Sequence, residues 1–139
     1  MSAAARGAVL RAFRRPRLWL GIGALGLLVL VGLALLPARG LPPAPFSGFD
    51  KFGHFLGYAA LSAYAGMLFA RMRAQTWAAA GLVALGFALE FAQAQLTDSR
   101  SGELRDAVAN TAGVLAGLVS ARASPRWAGL LQRLDARLP

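Results

Sequence analysis

The sequence predicts an all-α membrane protein: a polytopic bundle of four transmembrane helices with a short C-terminal amphipathic helix. Three observations carry this. Hydrophobic residues make up 57 % of the 139 and charged residues only 15 %, with a mean hydropathy of +0.52. The apolar residues gather into four long runs that are almost free of charge. The basic residues, 14 arginines and Lys51, stand between these runs rather than within them. Such apolarity excludes a disordered chain, which needs low hydrophobicity. The absence of cysteine excludes a disulfide scaffold, a thiolate metal site and thiol chemistry. A net charge of +9 and a pI near 11.8 would suggest nucleic acid if they lay on a polar surface. Confined to the gaps between apolar runs, they are loop charges, and no nucleic-acid partner is expected.

The basic N-terminus, residues 1–17, carries Arg6, Arg11, Arg14, Arg15 and Arg17. The first apolar run, 18–36, holds 19 uncharged residues, enough to cross a hydrocarbon core of ~30 Å at ~1.5 Å per residue. A cleaved signal peptide is the rival reading. The run exceeds the ~7–15 residues of a signal core and no small-x-small site closes it, so it is read as a retained anchor. Residues 37–50 form an extended connector with four prolines and two glycines, which can continue neither helix.

The second run, 52–70, contains His54 and two tyrosines. Residues 71–76 are expected to turn tightly into the third run, 77–96, which carries Glu90, Gln93 and Gln95 near its end. After the charged connector 97–106 comes the shortest run, 107–121, interrupted by Asn110. Asp106 and Arg122 flank it, so a crossing needs either these two to snorkel toward the interfaces or the bilayer to thin. In the tail, 122–139, Trp127, Leu130, Leu131, Leu134 and Leu138 recur at helical spacing with arginines between them. That pattern fits a helix lying on the membrane surface, with a frayed terminus as the alternative.

Four spans sort the basic residues. Eleven of the fifteen fall on the N-terminus, the second loop and the tail, against four on the first and third loops. The positive-inside rule then puts both termini in the cytoplasm. Trp19, Trp77 and Trp127 fall at the inner helix ends, as interfacial anchors do.

In that topology the residues that are costly in a bilayer collect at the outer end. Asp50 and His54 stand at (i, i+4), with Tyr58 one turn deeper. Glu90 and Gln93 stand at (i, i+3), and Asp106 and Asn110 again at (i, i+4). An acid within a span costs a few kcal/mol unless it faces partners or water, so these pairs are expected to face the bundle interior. Lys51 is read as an ordinary interfacial charge. Gly53-x-x-x-Gly57 and Gly113-x-x-x-Gly117 are small-x-x-x-small patterns, to which a helix-packing role is assigned.

These residues resemble the signatures of the VanZ-like membrane proteins, a family named for a protein linked to teicoplanin resistance. Asp50-Lys51-x-x-His54-Phe55-x-x-Tyr58-x-x-Leu61 is similar to the first signature. Glu90-x-x-Gln93, Arg100 and Asp106-x-x-x-Asn110-x-x-Gly113-x-x-x-Gly117 are similar to the second. The likeness covers residues 36–121 and departs at 96–99, where a Pro or Gly turn is common in the family. The resemblance implies an envelope role in the bacterial inner membrane, related to glycopeptide resistance, and assigns no reaction.

The leading expectation is therefore an outward polar site that binds a lipid-linked or amphipathic envelope molecule. Asp50, His54, Tyr58, Glu90, Gln93, Arg100, Asp106 and Asn110 would form it. Arg100 or Arg105 would meet a phosphate or carboxylate head group. An enzyme is the second class, with His54 and Asp50 as base and orienting carboxylate and Glu90 as acid, but no nucleophile is in evidence. Asp50, Glu90 and Asp106 could hold a hard cation by ligand type, whereas a single His without Cys disfavours zinc. No cofactor or metal is assigned. A small transporter and a structural partner subunit remain as alternatives, and the oligomeric state is not legible.

Overall fold

A computed structural model of the chain describes residues 8–36, 45–46, 48–96 and 104–139. Among them the architecture is all-helical. Four long helices, α1 (Pro16–Leu35), α2 (Phe49–Leu68), α3 (Met72–Leu96) and α4 (Leu104–Ala123), are followed by two short ones, α5 (Pro125–Ala128) and α6 (Leu130–Arg137). α1 and the Met72–Gln95 stretch of α3 are long and apolar enough to cross a membrane. α2 and α4 are each 20 residues long but carry the polar pairs.

Local chemistry sets the helix ends. Pro16 opens α1, where its missing N–H costs nothing. Gly48 precedes α2 with φ of 86°, a left-handed conformation that a side chain would strain. Phe49 and Asp50, expected in the connector, therefore already belong to α2. The expected turn at 71–76 shrinks to Phe69–Arg71, and Met72 starts α3 five residues before its apolar run. The fourth helix starts at Leu104 rather than at Ala107, because Arg105 and Asp106 fit its first turn, where an acid meets the positive end of the helix dipole.

The most intimate pair is α2 with α4. They run parallel, since Phe55 faces Gly113 and Ala59 faces Gly117 one turn further on. A Cβ on Gly113 would collide with the Phe55 carbonyl, and one on Gly117 with the Ala59 carbonyl. Gly66 meets Ala121 in the same way at the far end. Ser62 Oγ donates to the Val114 carbonyl at 2.7 Å inside this contact. Gly113 and Gly117 thus pack as expected, but Gly53 does not: nothing lies within 4 Å of the Cβ it lacks. Gly53 and Gly57 precede Phe55 and Ala59 by two residues, about 200° around a helix, so they face away from α4. Gly57 touches Leu30 of α1 instead.

α1 lies at the margin, and Trp19 is its only buried residue. At the end of the bundle where α1 begins, the chain folds over itself. Leu10 pairs with Phe69 in a single antiparallel bridge, with Arg11 N donating to the Leu68 carbonyl at 3.0 Å. Gln75 donates to the Gly66 and Phe69 carbonyls at 3.2 and 3.0 Å and accepts from Arg122 Nε at 3.0 Å. These bonds satisfy the last carbonyls of α2, which have no partner within their own helix. They also hold Arg122 against α3.

The tail differs from the single surface helix that the leucine spacing suggests. It breaks at Gly129, and Leu131 is buried with Trp19, Met67 and Leu68. The cause is Asp135, only 2 % exposed. Its carboxylate accepts from Trp19 Nε1 at 2.9 Å and from the backbone N–H of Arg15 at 3.2 Å, and also from that of Arg14. Trp19 is consequently a buried strut rather than an interfacial anchor, whereas Trp77 and Trp127 are exposed as expected. Burial pushes the Asp135 carboxyl up, but the Trp19 indole, the Arg14 and Arg15 N–H groups and the Arg15 charge outweigh it. The group titrates below its ordinary value.

Two predictions follow from this packing. Gly117→Ala should lower the thermal midpoint in detergent, at a cost of ~1–3 kcal/mol for overpacking. Gly53→Ala should stay within ~0.5 kcal/mol of wild type. Equal midpoints for the two variants would contradict the α2–α4 contact. A second prediction concerns acid. Because the folded Asp135 carboxyl titrates below the unfolded one, the latch is at full strength above the ordinary carboxyl value near ~3.9. Its contribution is lost as pH falls through the lowered folded value. Trp19 fluorescence, read in a Trp77→Phe/Trp127→Phe background, should shift toward that of a solvated indole over this acid range. Asp135→Asn should show the shift already at neutral pH.

Candidate functional site

The parallel α2–α4 pair brings two helix N-termini to the same end, and α3 crosses beside them. His54 stands in the second turn of α2, Asp106 and Asn110 in the first two turns of α4, and Glu90 six residues before the end of α3. Their side chains converge. His54 Nδ1 lies 3.0 Å from Asn110 Oδ1 and 3.8 Å from Glu90 Oε1. Asn110 Nδ2 donates to Glu90 Oε1 at 3.5 Å, a long bond. Donor atoms of His54, Glu90 and Asp106 all lie within 4.8 Å of one another. Asn110 is 1 % exposed and Glu90 and Asp106 are each 7 % exposed.

The layer beneath is shaped by Gly86. A Cβ there would stand 3.2 Å from Asn110 Cβ and 3.4 Å from the Tyr58 hydroxyl. The missing side chain lets Tyr58, which is buried, and Asn110 reach α3 together. Val114, the next α4 residue on this face, has no exposed surface and joins Tyr58, Ala79 and Leu82 in an apolar floor. Polar groups therefore occupy one end of the interior, and apolar side chains close it below.

The expected residues divide into three sets. His54, Glu90, Asp106 and Asn110 come together, with Tyr58 under them. Asp50 stays at the rim with its side chain 46 % exposed and pairs with Lys51 at 3.1 Å. Gln93 is buried but donates to the Ala34 carbonyl at 2.5 Å, tying α3 to the last turn of α1. Arg100 lies outside the described residues, as do Asp98 and Glu103. Asp106 turns inward. The Lys51 ammonium at 3.4 Å from its Oδ1 supplies a counter-charge that an interfacial excursion would otherwise have to find in water.

Sequence reasoning missed Lys51 and Gly86. Lys51 stands three residues before His54, hence on the same helix face, and that spacing was the signal. Gly86 stands four residues before Glu90, one turn below the carboxylate on its own face. Separately, a cavity of about 460 Å³ lies between α1, α2 and α3, lined by Leu20, Leu27, Leu61, Tyr64, Leu82 and their neighbours. It is apolar, and none of the clustered polar residues lines it.

Comparison of the chain with protein-family models, with curated proteins and with solved structures finds no match.

The cluster is held by mutual bonds, so removing its bridge should be costly. Asn110→Ala would leave His54 and Glu90 without their shared partner, at about 1–3 kcal/mol. Asp50→Asn, at the exposed rim, should fall within ~0.5 kcal/mol of wild type. Thermal unfolding of the two variants in one detergent checks this, and the reverse ranking would contradict the geometry.

Proposed function

We propose that the chain is a VanZ-like protein of the bacterial inner membrane whose polar cluster faces outward and binds the head group of a lipid-linked or amphipathic envelope molecule. In this reading α1 to α4 all span the bilayer and both termini lie in the cytoplasm. One observation carries the site. An imidazole, two carboxylates and an amide from three helices converge at one end of the bundle, above an apolar floor. Ionisable groups inside such a bundle are costly, and they usually mark a functional site. The topology draws support from the arginine distribution and from the outward face of α1, where Leu25, Leu28 and Leu33 are exposed. Contiguous exposed apolar surface of this kind suits lipid rather than water.

Carboxylates and an amide suit hydroxyl, amine or amide groups of a sugar or peptide head group. The apolar floor of Tyr58 and Val114 would keep such a group at the mouth. The proximity of His54 to Glu90 also favours a second reading, a membrane-embedded enzyme with an acid–base pair. Ser62, the nearest aliphatic hydroxyl along α2, is engaged with the Val114 carbonyl, and at eight residues from His54 it sits ~12 Å along the helix. Among the described residues no nucleophile stands beside His54 to support that second reading.

Two experiments test the proposal. Cells producing the wild type should tolerate more teicoplanin than cells producing Glu90→Ala or Asp106→Ala at equal membrane levels. Equal tolerance across all three removes the ligand reading. The chain has no native cysteine, so Arg73→Cys and Phe46→Cys can be labelled singly. An impermeant thiol reagent on intact cells should modify the cysteine at 46 and spare the one at 73, and the opposite pattern overturns the orientation.

A further inference from the structure

We propose that His54, Glu90 and Asp106, with Asn110, form a binding site for one divalent cation of the oxygen-preferring, six-coordinate kind represented by Mn2+. The donor set comes from three separate helices, so tertiary packing rather than local sequence assembles it. One ligand atom from each of His54, Glu90 and Asp106 lies within 4.8 Å of the other two. His54 Nδ1 and Asn110 Oδ1 are 3.0 Å apart, which is the edge of an octahedron with bonds of ~2.1 Å. The 3.8 Å from His54 Nδ1 to Glu90 Oε1 closes to that length with a small side-chain rotation.

The burial of this set separates it from an ordinary surface cluster. Glu90 and Asp106 are more than nine-tenths buried, and Asn110 almost wholly so. Asp106 Oδ1 is buried and takes no hydrogen bond among the described residues, its ion contact being with Lys51 Nζ at 3.4 Å. That ammonium stands where it competes with a bound cation for the Asp106 carboxylate. Three oxygens with a single imidazole point to Mn2+ rather than to ions that favour several nitrogen or sulfur ligands. Four protein ligands also leave coordination positions for water or for a ligand's own oxygen. Asp50, assigned to a cation set by ligand type alone, sits at the rim beside Lys51 and takes no part. The site does not depend on the amphiphile reading, because it is defined by the metal alone.

Mn2+ titrated into chelator-stripped protein in detergent tests it, with loss of the free-ion electron paramagnetic resonance signal reporting binding. One Mn2+ per chain is expected. His54→Ala and the near-isosteric Glu90→Gln should lose binding, and Asn110→Ala, which removes the one uncharged oxygen ligand, should weaken it by at least ~10-fold. Asp50→Asn should bind as wild type. Lys51→Met should bind about tenfold tighter, because it removes a like charge beside the cation, an effect that a merely structural role would not produce. Circular dichroism of each variant secures folding. No stoichiometric binding by folded wild type, binding unchanged in folded Glu90→Gln, or weaker binding by Lys51→Met would overturn the proposal.

Discussion

The architecture depends on one steric constraint, the backbone-to-backbone approach of α2 and α4. Gly113 and Gly117 lie against the carbonyls of Phe55 and Ala59 at a distance that leaves no room for a methyl group. Helices that close make many dispersion contacts per residue, and this is what small-residue faces supply where there is no water to expel. The approach also decides the register of the two helices. Once Phe55 faces Gly113, His54 must come level with Asn110, and the ring and the amide meet at 3.0 Å. The polar site is thus a consequence of an apolar contact one turn below it.

The two ends of the bundle solve the problem of buried polarity differently. At the end where α1 begins, the buried side chains of Gln75 and Asp135 have structural tasks. Gln75 and Arg122 cap α2, and Asp135 gathers Trp19, Arg14 and Arg15 under the tail. At the opposite end the polar groups face one another. His54, Glu90 and Asn110 bond among themselves, and Asp106 reaches Lys51. A network whose members face one another is poised to exchange some of those contacts for a ligand, whereas a network that ties carbonyls of neighbouring helices is not. That contrast is the physical reason to assign function to the first and stability to the second. The same contrast explains why Gln93, though buried beside Glu90 in sequence, belongs in part to the scaffold through Ala34.

Much of the fold was legible in the sequence, because a long apolar run has few options besides a helix. All four runs became helices of 20 to 25 residues, and the shortest was simply extended by a turn that holds charged residues. The convergence of His54, Glu90, Asp106 and Asn110 was legible as well, because ionisable groups in apolar segments are costly unless they face partners. Errors arose where a pattern says nothing about direction. Gly53-x-x-x-Gly57 has the same spacing as Gly113-x-x-x-Gly117, but it points about 200° away from the contact. The leucines of the tail have the spacing of a surface helix, yet they dock on the protein because Asp135 finds three donors there. Lys51 was discounted as an interfacial charge for the same reason, since only the packed bundle shows Asp106 beside it.

By itself the sequence determined the four long helical segments, the segregation of arginines between them, and which residues are costly in an apolar interior. Each of these follows from transfer free energies that act on a residue wherever it lies. Tertiary structure alone decided which face of each helix meets which neighbour. It placed Asn110 rather than Asp50 beside His54, turned Asp106 inward to Lys51, and made Trp19 a strut beneath Asp135. Those outcomes depend on steric fit between surfaces far apart in the chain, which no local periodicity encodes.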